Sequence, residues 1–236
     1  MAFSSLLRTG AGPLSEAALR DVAARASTLD VSVSLSNDFD ELYAVNRANR
    51  DSWDALMPQF HPDYFSGGGD AAFWIKGTDQ TGEVILTRGY RRYDLSGGQT
   101  MHDALVGMSL FYDDPARAQP GEQVVSTAET PRRVRGSFAL SGAQWIHPRF
   151  RRAGLSSLTW PAGRSMVCDL WQSPFLFAFV EDVPKMKSVL GFQSQEGGIR
   201  WTNSYVGPSF DFTIIWWTLD EMRRDVEDFL RHGQSG

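Results

Sequence analysis

The order of apolar and polar residues predicts a helix, a strand, a second helix and a β-hairpin at the start of the chain. Apolar side chains recur at helical spacing in residues 15–29 and again in residues 39–57. Between them, residues 31–35 alternate between apolar residues and serines, which is typical of a half-buried strand. Residues 71–76 and 84–93, joined by a polar turn, predict the hairpin. The proline that follows the second helix is expected to end it.

The middle of the chain predicts two further strands and a helix that crosses over to a third. Residues 104–112 indicate a strand, and the polar, proline-containing residues 113–133 indicate a long loop. Residues 136–146 form the next predicted strand. Helical spacing in residues 154–170 and the apolar run 175–180 predict a crossover helix and a strand buried on both faces. Because crossover helices join parallel strands, we expect the two flanking strands to run parallel.

The C-terminal part of the chain predicts a short helix, a strand and a last helix. The short helix covers residues 184–190, and residues 210–217 alternate as expected for a strand. Thr218 and Glu221 have the spacing of a capping box, which indicates the start of the last helix.

Composition and charge exclude several classes of protein. The chain has 236 residues with 23 basic and 28 acidic side chains, and its net charge of −5 argues against a surface built to bind nucleic acid. Cys168 is the sole cysteine, which excludes an internal disulfide and a zinc site of several thiolates. The four histidines show no metal-ligand spacing, and no apolar stretch approaches the ~20 residues of a membrane span. We therefore expect a cytoplasmic protein of one domain, residues 1–236, without a metal.

The segment with the most chemical information is residues 145–156, where a predicted strand leads through a proline turn and a basic loop into a helix. Backbone N–H groups at a helix N-terminus, with the helix dipole, bind phosphate oxygens. Arg149, Arg151 and Arg152 add full positive charges, and Gly154 lets a ligand approach the backbone closely. This arrangement suits a pyrophosphate better than a single carboxylate. A plain crossover with a solvated arginine turn would have the same local pattern.

The same segment has a hydrophobic residue, a proline, an aromatic residue, an arginine and two small residues in a fixed order. They are Ile146, Pro148, Phe150, Arg151, Gly154 and Ser156. Downstream, the apolar run 175–180 is followed by the short helix and by Gly191-Phe192. Together these features resemble the acyl-CoA-binding motif, and the strand, helix and turn that follow it, of the GNAT superfamily of N-acetyltransferases.

The resemblance implies an α/β (α+β) fold of the GNAT-like acyl-CoA N-acyltransferase type, with a mixed, mostly antiparallel sheet flanked by helices. The strands at 136–146 and 175–180 are then expected to diverge at their C-terminal ends and to leave a notch for acyl-CoA. Within the single domain, residues 1–30 would be an N-terminal helical extension, residues 136–192 the acyl-CoA-binding core and residues 218–236 a C-terminal helix.

The resemblance also implies transfer of an acetyl group from acetyl-CoA to an amine by direct attack on the thioester. The expected partner is an amine acceptor, either a small molecule or a peptide. No nucleic acid or membrane partner is expected, and a homodimer is a possible assembly. The resemblance assigns cofactor binding to the end of the motif strand and to the loop that follows it. The residues concerned are Trp145, Ile146, Arg151, Arg152, Ala153, Gly154, Leu155 and Ser156.

Two departures from the family pattern concern catalysis. Many members have an asparagine where Val183 stands and, a few residues later, a tyrosine that protonates the departing thiolate. No tyrosine occurs between Val183 and Gly191. Glu181, which follows a predicted strand, is the candidate base that removes a proton from the amine. Tyr205 is the candidate replacement for the missing acid.

Two other functions stay open from the sequence. The missing tyrosine and Val183 favour a GNAT-like CoA-binding or regulatory protein without turnover. The phenylalanine-rich run 175–179 would suit an acyltransferase with a long-chain acyl donor, although a buried strand explains it equally well. Cys168 has no evident activating partner and is expected to be a packing thiol.

Overall fold

The structure is a computed structural model that describes residues 7–8, 10–66, 70–181 and 183–233. Within these ranges eight strands share one sheet. The strands are β1 (Ser32–Ser36), β2 (Ala72–Thr78), β3 (Val84–Asp94), β4 (Gln123–Ser126), β5 (Ser137–Ile146), β6 (Phe175–Val180), β7 (Ser194–Ser204) and β8 (Gly207–Thr218).

Helices of very different length flank the sheet. They are α1 (Pro13–Ser27), α2 (Phe39–Ala48), α3 (Met101–Val106), α4 (Thr130–Arg133), α5 (Leu155–Met166), α6 (Val183–Leu190) and α7 (Leu219–Gly233). Among the helices described, none is both long and apolar enough to cross a membrane.

The sheet is mixed and mostly antiparallel, which confirms the expected fold class. Its strand order is β1-β2-β3-β5-β6-β8-β7-β4, and β5 and β6 run parallel while the other neighbours run antiparallel. Helices α1, α5 and α7 cover one face, where they pack on residues such as Phe73 and Leu176. On the opposite face, α2 packs with Trp74 and α3 packs in a second cluster with Phe177.

The central parallel pair is short, and it ends where β5 bulges. Three residue pairs join β5 to β6, the last of them Ser141 with Ala178. Between Gly142 and Trp145, β5 has one residue more than β3, and Ala143 takes a left-handed φ of 49°. Beyond this bulge β5 continues on β3 and β6 continues on β8. The expected parallel, diverging pair is therefore confirmed, and it leaves a notch in the sheet.

Helix α5, which connects β5 to β6, packs close to the sheet. A Cβ placed on Gly163 would lie 2.0 Å from the hydroxyl-bearing ring carbon of Tyr90 on β3. Pro161 lies inside the helix without ending it, and a π turn follows at Val167–Trp171. Cys168 in this turn is buried, and burial raises the pKa of its thiol to about 12. Such a thiol serves packing rather than nucleophilic chemistry.

The predicted strand at residues 104–112 is wrong, because residues 104–106 end helix α3 and residues 107–111 form turns. The hydroxyl of Thr100 accepts from the N–H of Asp103 at 3.1 Å, and the carboxylate of Asp103 accepts from the N–H of Thr100 at 2.8 Å. The buried Met101 and Leu105 are four residues apart, as in a helix. The capping box and this spacing outweigh the apolar character that indicated a strand.

The predicted loop at residues 113–133 is wrong in part, since it contains β4 and α4. Strand β4 pairs with β7, for example through Val124 and Trp201. Strand β7 was not predicted, because it is largely polar. Only a few of its residues, such as Ile199, are buried. Both strands are defined by pairing with a neighbour rather than by an apolar pattern of their own.

Helix α2 ends at Ala48, well before the proline that was expected to end it. The side chain of Asn46 donates to the carbonyl of Asp54 at 2.8 Å and accepts from the N–H of Leu56 at 3.1 Å. These bonds replace helical hydrogen bonds and turn the chain back on itself. Residues 49–57 therefore form a loop, called the 49–57 loop.

The remaining predicted elements are confirmed within a few residues. They include the strand at 31–35, the hairpin, the short helix at 184–190 and the last helix. The carboxylate of Glu221 accepts from the N–H of Thr218 at 2.7 Å, which completes the expected capping box.

Replacing Gly163 by alanine tests the close contact between α5 and β3. In an open helix this change would stabilise the protein by up to about 1 kcal/mol, because alanine has the higher helix propensity. Here the new methyl group overlaps the ring of Tyr90, so we expect a net loss of about 1–3 kcal/mol in the free energy of unfolding. Urea unfolding measures this loss.

Gly197→Ala is the control for this substitution. The nearest atom to a Cβ at Gly197 is 3.7 Å away, so its stability should stay within about 0.5 kcal/mol of the parent. A Gly163→Ala protein as stable as the parent would show that α5 does not lie this close to Tyr90.

Candidate functional site

The notch between β5 and β6 exposes the backbone edge of β5. The N–H of His147 donates to the carbonyl of Ile85 on β3 at 2.8 Å. The backbone N–H and C=O groups of successive residues point to opposite edges of a strand. Those of Trp145 therefore also point to β3, whereas those of Ile146 point to the notch. The carbonyl of Ile146 accepts from Nε of Arg151 at 3.1 Å. The N–H of Ile146 is thus directed to the space that a further strand would fill.

The loop between β5 and α5 presents a run of backbone donors. Arg152 and Gly154 both have a left-handed backbone, with φ of 70° and 75°, and α5 begins directly after Gly154. In the described part of the chain, nothing accepts a hydrogen bond from the N–H groups of residues 152–156. The next N–H, that of Ser157, donates to the carbonyl of Gly154 at 3.0 Å. With the dipole of α5, these N–H groups suit an anion.

Arginine and tryptophan side chains tie the 49–57 loop to β5. Arg151 donates through Nη2 to the carbonyl of Ser52 at 3.1 Å. Trp145 donates through Nε1 to the hydroxyl of the same serine at 3.1 Å. The rings of Trp53 and Trp145 stack with centroids 5.4 Å apart and planes 10° from parallel. The side chain of Arg151 therefore holds the loop in place.

A cavity of about 230 Å³ opens at the notch, between the 49–57 loop, the bulge of β5 and the β7–β8 hairpin. Its wall is mostly apolar, with few polar groups. The lining residues are Trp53, Asp54, Ala55, Leu56, Met57, Ala143, Gln144, Glu181, Val206, Phe210 and Phe212. A larger cavity of about 580 Å³ lies between α1 and β1, at the edge of the sheet, and is separate from the notch.

Two carboxylates, Glu181 and Asp54, line this cavity. Glu181 directly follows β6, and Asp54 belongs to the 49–57 loop. Partial burial of the carboxyl group and, after it, repulsion from Asp54 raise the pKa of Glu181 above its ordinary value, although much of the side chain is exposed. Over the ranges described, neither carboxylate has an ion pair or a hydrogen bond. A carboxyl group with a raised pKa and no fixed partner is suited to proton transfer nearer neutral pH.

Tyr205 lies in the turn between β7 and β8, in an aromatic cluster next to the cavity. Its ring meets His61 edge-on at a centroid distance of 5.6 Å and Tyr64 at 5.2 Å. Burial raises the pKa of its hydroxyl group. Its neighbour Val206 lines the cavity, whereas Tyr205 itself is not among the lining residues. Its role as an acid stays a prediction.

Comparison with known proteins finds similarity in three-dimensional structure. No protein-family model and no curated protein matches the chain. The N-acyl amino acid synthase FeeM from uncultured soil microbes is 12% identical, with a TM-score of 0.48 over 82% of this chain and 93% of that one. Arabidopsis thaliana NAA60, solved with acetyl-CoA, is 10% identical, with a TM-score of 0.49 over 80% of this chain and 99% of that one.

A third match has the family in its name. It is the GNAT family N-acetyltransferase YhbS from Escherichia coli, solved with CoA, which is 11% identical, with a TM-score of 0.43 over 82% of this chain and 83% of that one. GNAT-family N-acetyltransferases are thus among the structures that this chain resembles. At such identities the likeness concerns the fold alone. The arguments on the site rest on the geometry of the chain itself.

The structure assembles part of the predicted site and adds residues that the sequence did not indicate. It brings Glu181 to the notch and places residues 152–156 in the loop that follows β5 and in the first turn of α5. It adds Asp54 and Trp53, which the sequence placed on a helix, and Phe210, which the sequence placed in an ordinary strand. In the sequence, these three residues have in common only that they are apolar or acidic and stand near a proline. That pattern is too general to have identified them as site residues.

The pKa of Glu181 should fall when Asp54 is replaced by asparagine, because the change removes a negative charge and keeps the shape of the side chain. Titration of the Glu181 side-chain carboxyl carbon by NMR measures the pKa. Asp51→Asn, in the same loop, is the matched control and should leave the pKa of Glu181 in place. An unchanged titration in Asp54→Asn would show that the two carboxylates are not neighbours in solution.

Proposed function

We propose that the chain transfers an acyl group, with acetyl as the first candidate, from acyl-CoA to an amine. The observation that carries this proposal is the divergence of β5 and β6. The unpaired N–H groups of residues 152–156 follow β5, and the carboxylate of Glu181 follows β6. In this proposal, the residues after β5 bind the phosphates of acyl-CoA, and Glu181 after β6 is the base that deprotonates the amine.

Two backbone features of the notch support binding of acyl-CoA. A Cβ placed on Gly154 meets no atom within 4 Å, so the backbone there is open to a pyrophosphate. The N–H of Ile146 faces the notch and would pair with an amide of the pantetheine arm. The backbone of Trp145 is used by β3, so its contribution would be the side chain that holds the 49–57 loop.

In the proposed reaction, Glu181 accepts a proton from the bound ammonium group, directly or through a water molecule. The neutral amine attacks the thioester carbonyl carbon, and the C–N bond forms with a positive charge on the nitrogen. As the C–S bond breaks, this nitrogen gives its extra proton to the departing thiolate, directly or through water, and the products are the amide and the thiol. A thiol with a pKa of ~8.5 leaves without a strong acid. The absence of a tyrosine between Val183 and Gly191 is therefore compatible with turnover.

Gly154→Ala should weaken binding of acetyl-CoA at least about tenfold, because a methyl group would stand between the backbone and the pyrophosphate. Gly82→Ala is the matched control: both glycines have a left-handed φ, 75° and 85°, and neither Cβ would meet an atom within 4 Å. Both variants should lose about 1–2 kcal/mol of stability from backbone strain.

Calorimetry with acetyl-CoA separates the two glycine variants, and thermal unfolding compares their stability. Affinity that is unchanged in Gly154→Ala would remove the loop from the proposed donor site.

Glu181→Gln should lower kcat by about 10²–10⁴, because the change removes the proton acceptor. The affinity for acetyl-CoA should stay constant, because Glu181 makes no contact with acetyl-CoA in the proposed complex. In the parent, activity should rise with pH through the neutral range, since both the amine and Glu181 must lose a proton before attack. Steady-state kinetics with an identified amine, from pH 5 to pH 9 in about one-unit steps, test both statements. Unaltered kinetics in Glu181→Gln would eliminate Glu181 as the base.

A second candidate function is CoA binding without turnover, and Val183 at the position of the family's asparagine favours it. Tight binding of CoA by the parent, with no acyl transfer across a broad panel of amines and with both short and long acyl donors, would support this alternative. Transfer from long-chain donors alone would support the long-chain alternative.

A further inference from the structure

The cavity at the notch has an unusual combination of a small volume and an aromatic wall. Its volume of about 230 Å³ is below the ~300–1,000 Å³ of pockets for drug-sized ligands. Phe210, Phe212 and Trp53 supply aromatic surface, and Met57 and Val206 add aliphatic surface. An occupant that fills this space is a small molecule with an apolar body.

The charges in the cavity all have the same sign. Asp54 and Glu181 are both acidic, and the lining contains no lysine, arginine or histidine. Gln144 is the other lining residue with a polar side chain. In the part of the chain that the structure describes, neither carboxylate is neutralised by an ion pair. A ligand cation would therefore be attracted here, and a ligand carboxylate would be repelled by both acidic groups.

The 49–57 loop keeps Asp54 at the cavity independently of its carboxylate. The backbone carbonyl of Asp54 accepts from the side chain of Asn46 at 2.8 Å, and the neighbouring Trp53 stacks on Trp145. The carboxylate itself makes no bond that holds the fold together. The side chain is therefore available to bind a ligand, and it can be changed without loss of the loop.

We propose that the acceptor is a small arylalkylamine: a primary amine with an aromatic body and no carboxylate beside its nitrogen. Asp54 binds the ammonium group, Glu181 takes its proton, and Phe210 contacts the ring. Free amino acids are disfavoured by repulsion between their carboxylate and these two acidic groups. This inference rests on the proposed acyl transfer, and it names the class of acceptor.

Phenethylamine, phenylalanine and ethylamine form a matched set of probes. Phenylalanine adds a carboxylate to phenethylamine, and ethylamine lacks the ring. Calorimetry, with and without coenzyme A, should show phenethylamine binding at least about tenfold more tightly than either of the others. Initial rates with acetyl-CoA should give the same order in kcat/KM.

Two variants connect this preference to the named residues. Asp54→Asn should lower the preference for phenethylamine over phenylalanine at least about threefold, since it removes one of the two repelling charges. Asp51→Asn should leave the preference unchanged. Phe210→Ala should lower the preference for phenethylamine over ethylamine and leave the discrimination against phenylalanine in place.

The outcomes separate this inference from the proposed function. Selective binding of phenethylamine without acetyl transfer would support the ligand class and overturn the proposed reaction. Acetyl transfer to phenylalanine with equal kcat/KM would overturn the ligand class and support the reaction. Absence of measurable phenethylamine binding, or a preference that Asp54→Asn does not change, would overturn the inference.

Discussion

The early end of the pairing between β5 and β6 is the constraint on which the whole site depends. Backbone groups inside a sheet are normally satisfied by strands on both sides. Here the bulge at Ala143 keeps β5 on β3 while β6 follows β8, so each strand has a neighbour on one side only beyond the last pair, Ser141 with Ala178. A ligand in the notch would take the place of the missing partner.

The crossover through α5 explains why different chemical groups meet at this notch. Strands joined by a crossover helix run parallel, so their carboxyl ends reach the same edge of the sheet. One strand is followed by the loop and helix start with free N–H groups, at residues 152–156, and the other is followed directly by Glu181. The 49–57 loop closes the remaining side, and Asn46 holds that loop with two hydrogen bonds of about 1 kcal/mol each.

The sequence predicted the centre of the fold better than its edges, for physical reasons. From residue 136 to residue 192, strand alternation, the proline turn, Gly154 and helical spacing all agree. Next to the edge strand β4, β7 is polar and is a strand because β8 and β4 pair with it. The segment that includes the end of helix α3 was predicted as a strand, because a short apolar run is compatible with the spacing of a strand and with that of a helix. The capping box at Thr100 favours the helix.

The candidate site was predictable only where one segment carries it. Residues 152–156, at the start of α5, are such a segment, and Glu181 follows a strand that could be recognised. Asp54 lies far from Glu181 in sequence, and its position depends on hydrogen bonds to Asn46 and on the stack between Trp53 and Trp145. Contacts of this kind arise from tertiary packing, which local periodicity does not encode.

The stacked indole rings of Trp53 and Trp145 have an optical consequence. With centroids 5.4 Å apart, their excited states lie close enough to couple and to give a circular dichroism signal that neither ring has alone. One ring belongs to the 49–57 loop and the other to β5, so the signal depends on the separation of two sides of the notch. The circular dichroism signal of this tryptophan pair would therefore report movement of the 49–57 loop without any added label.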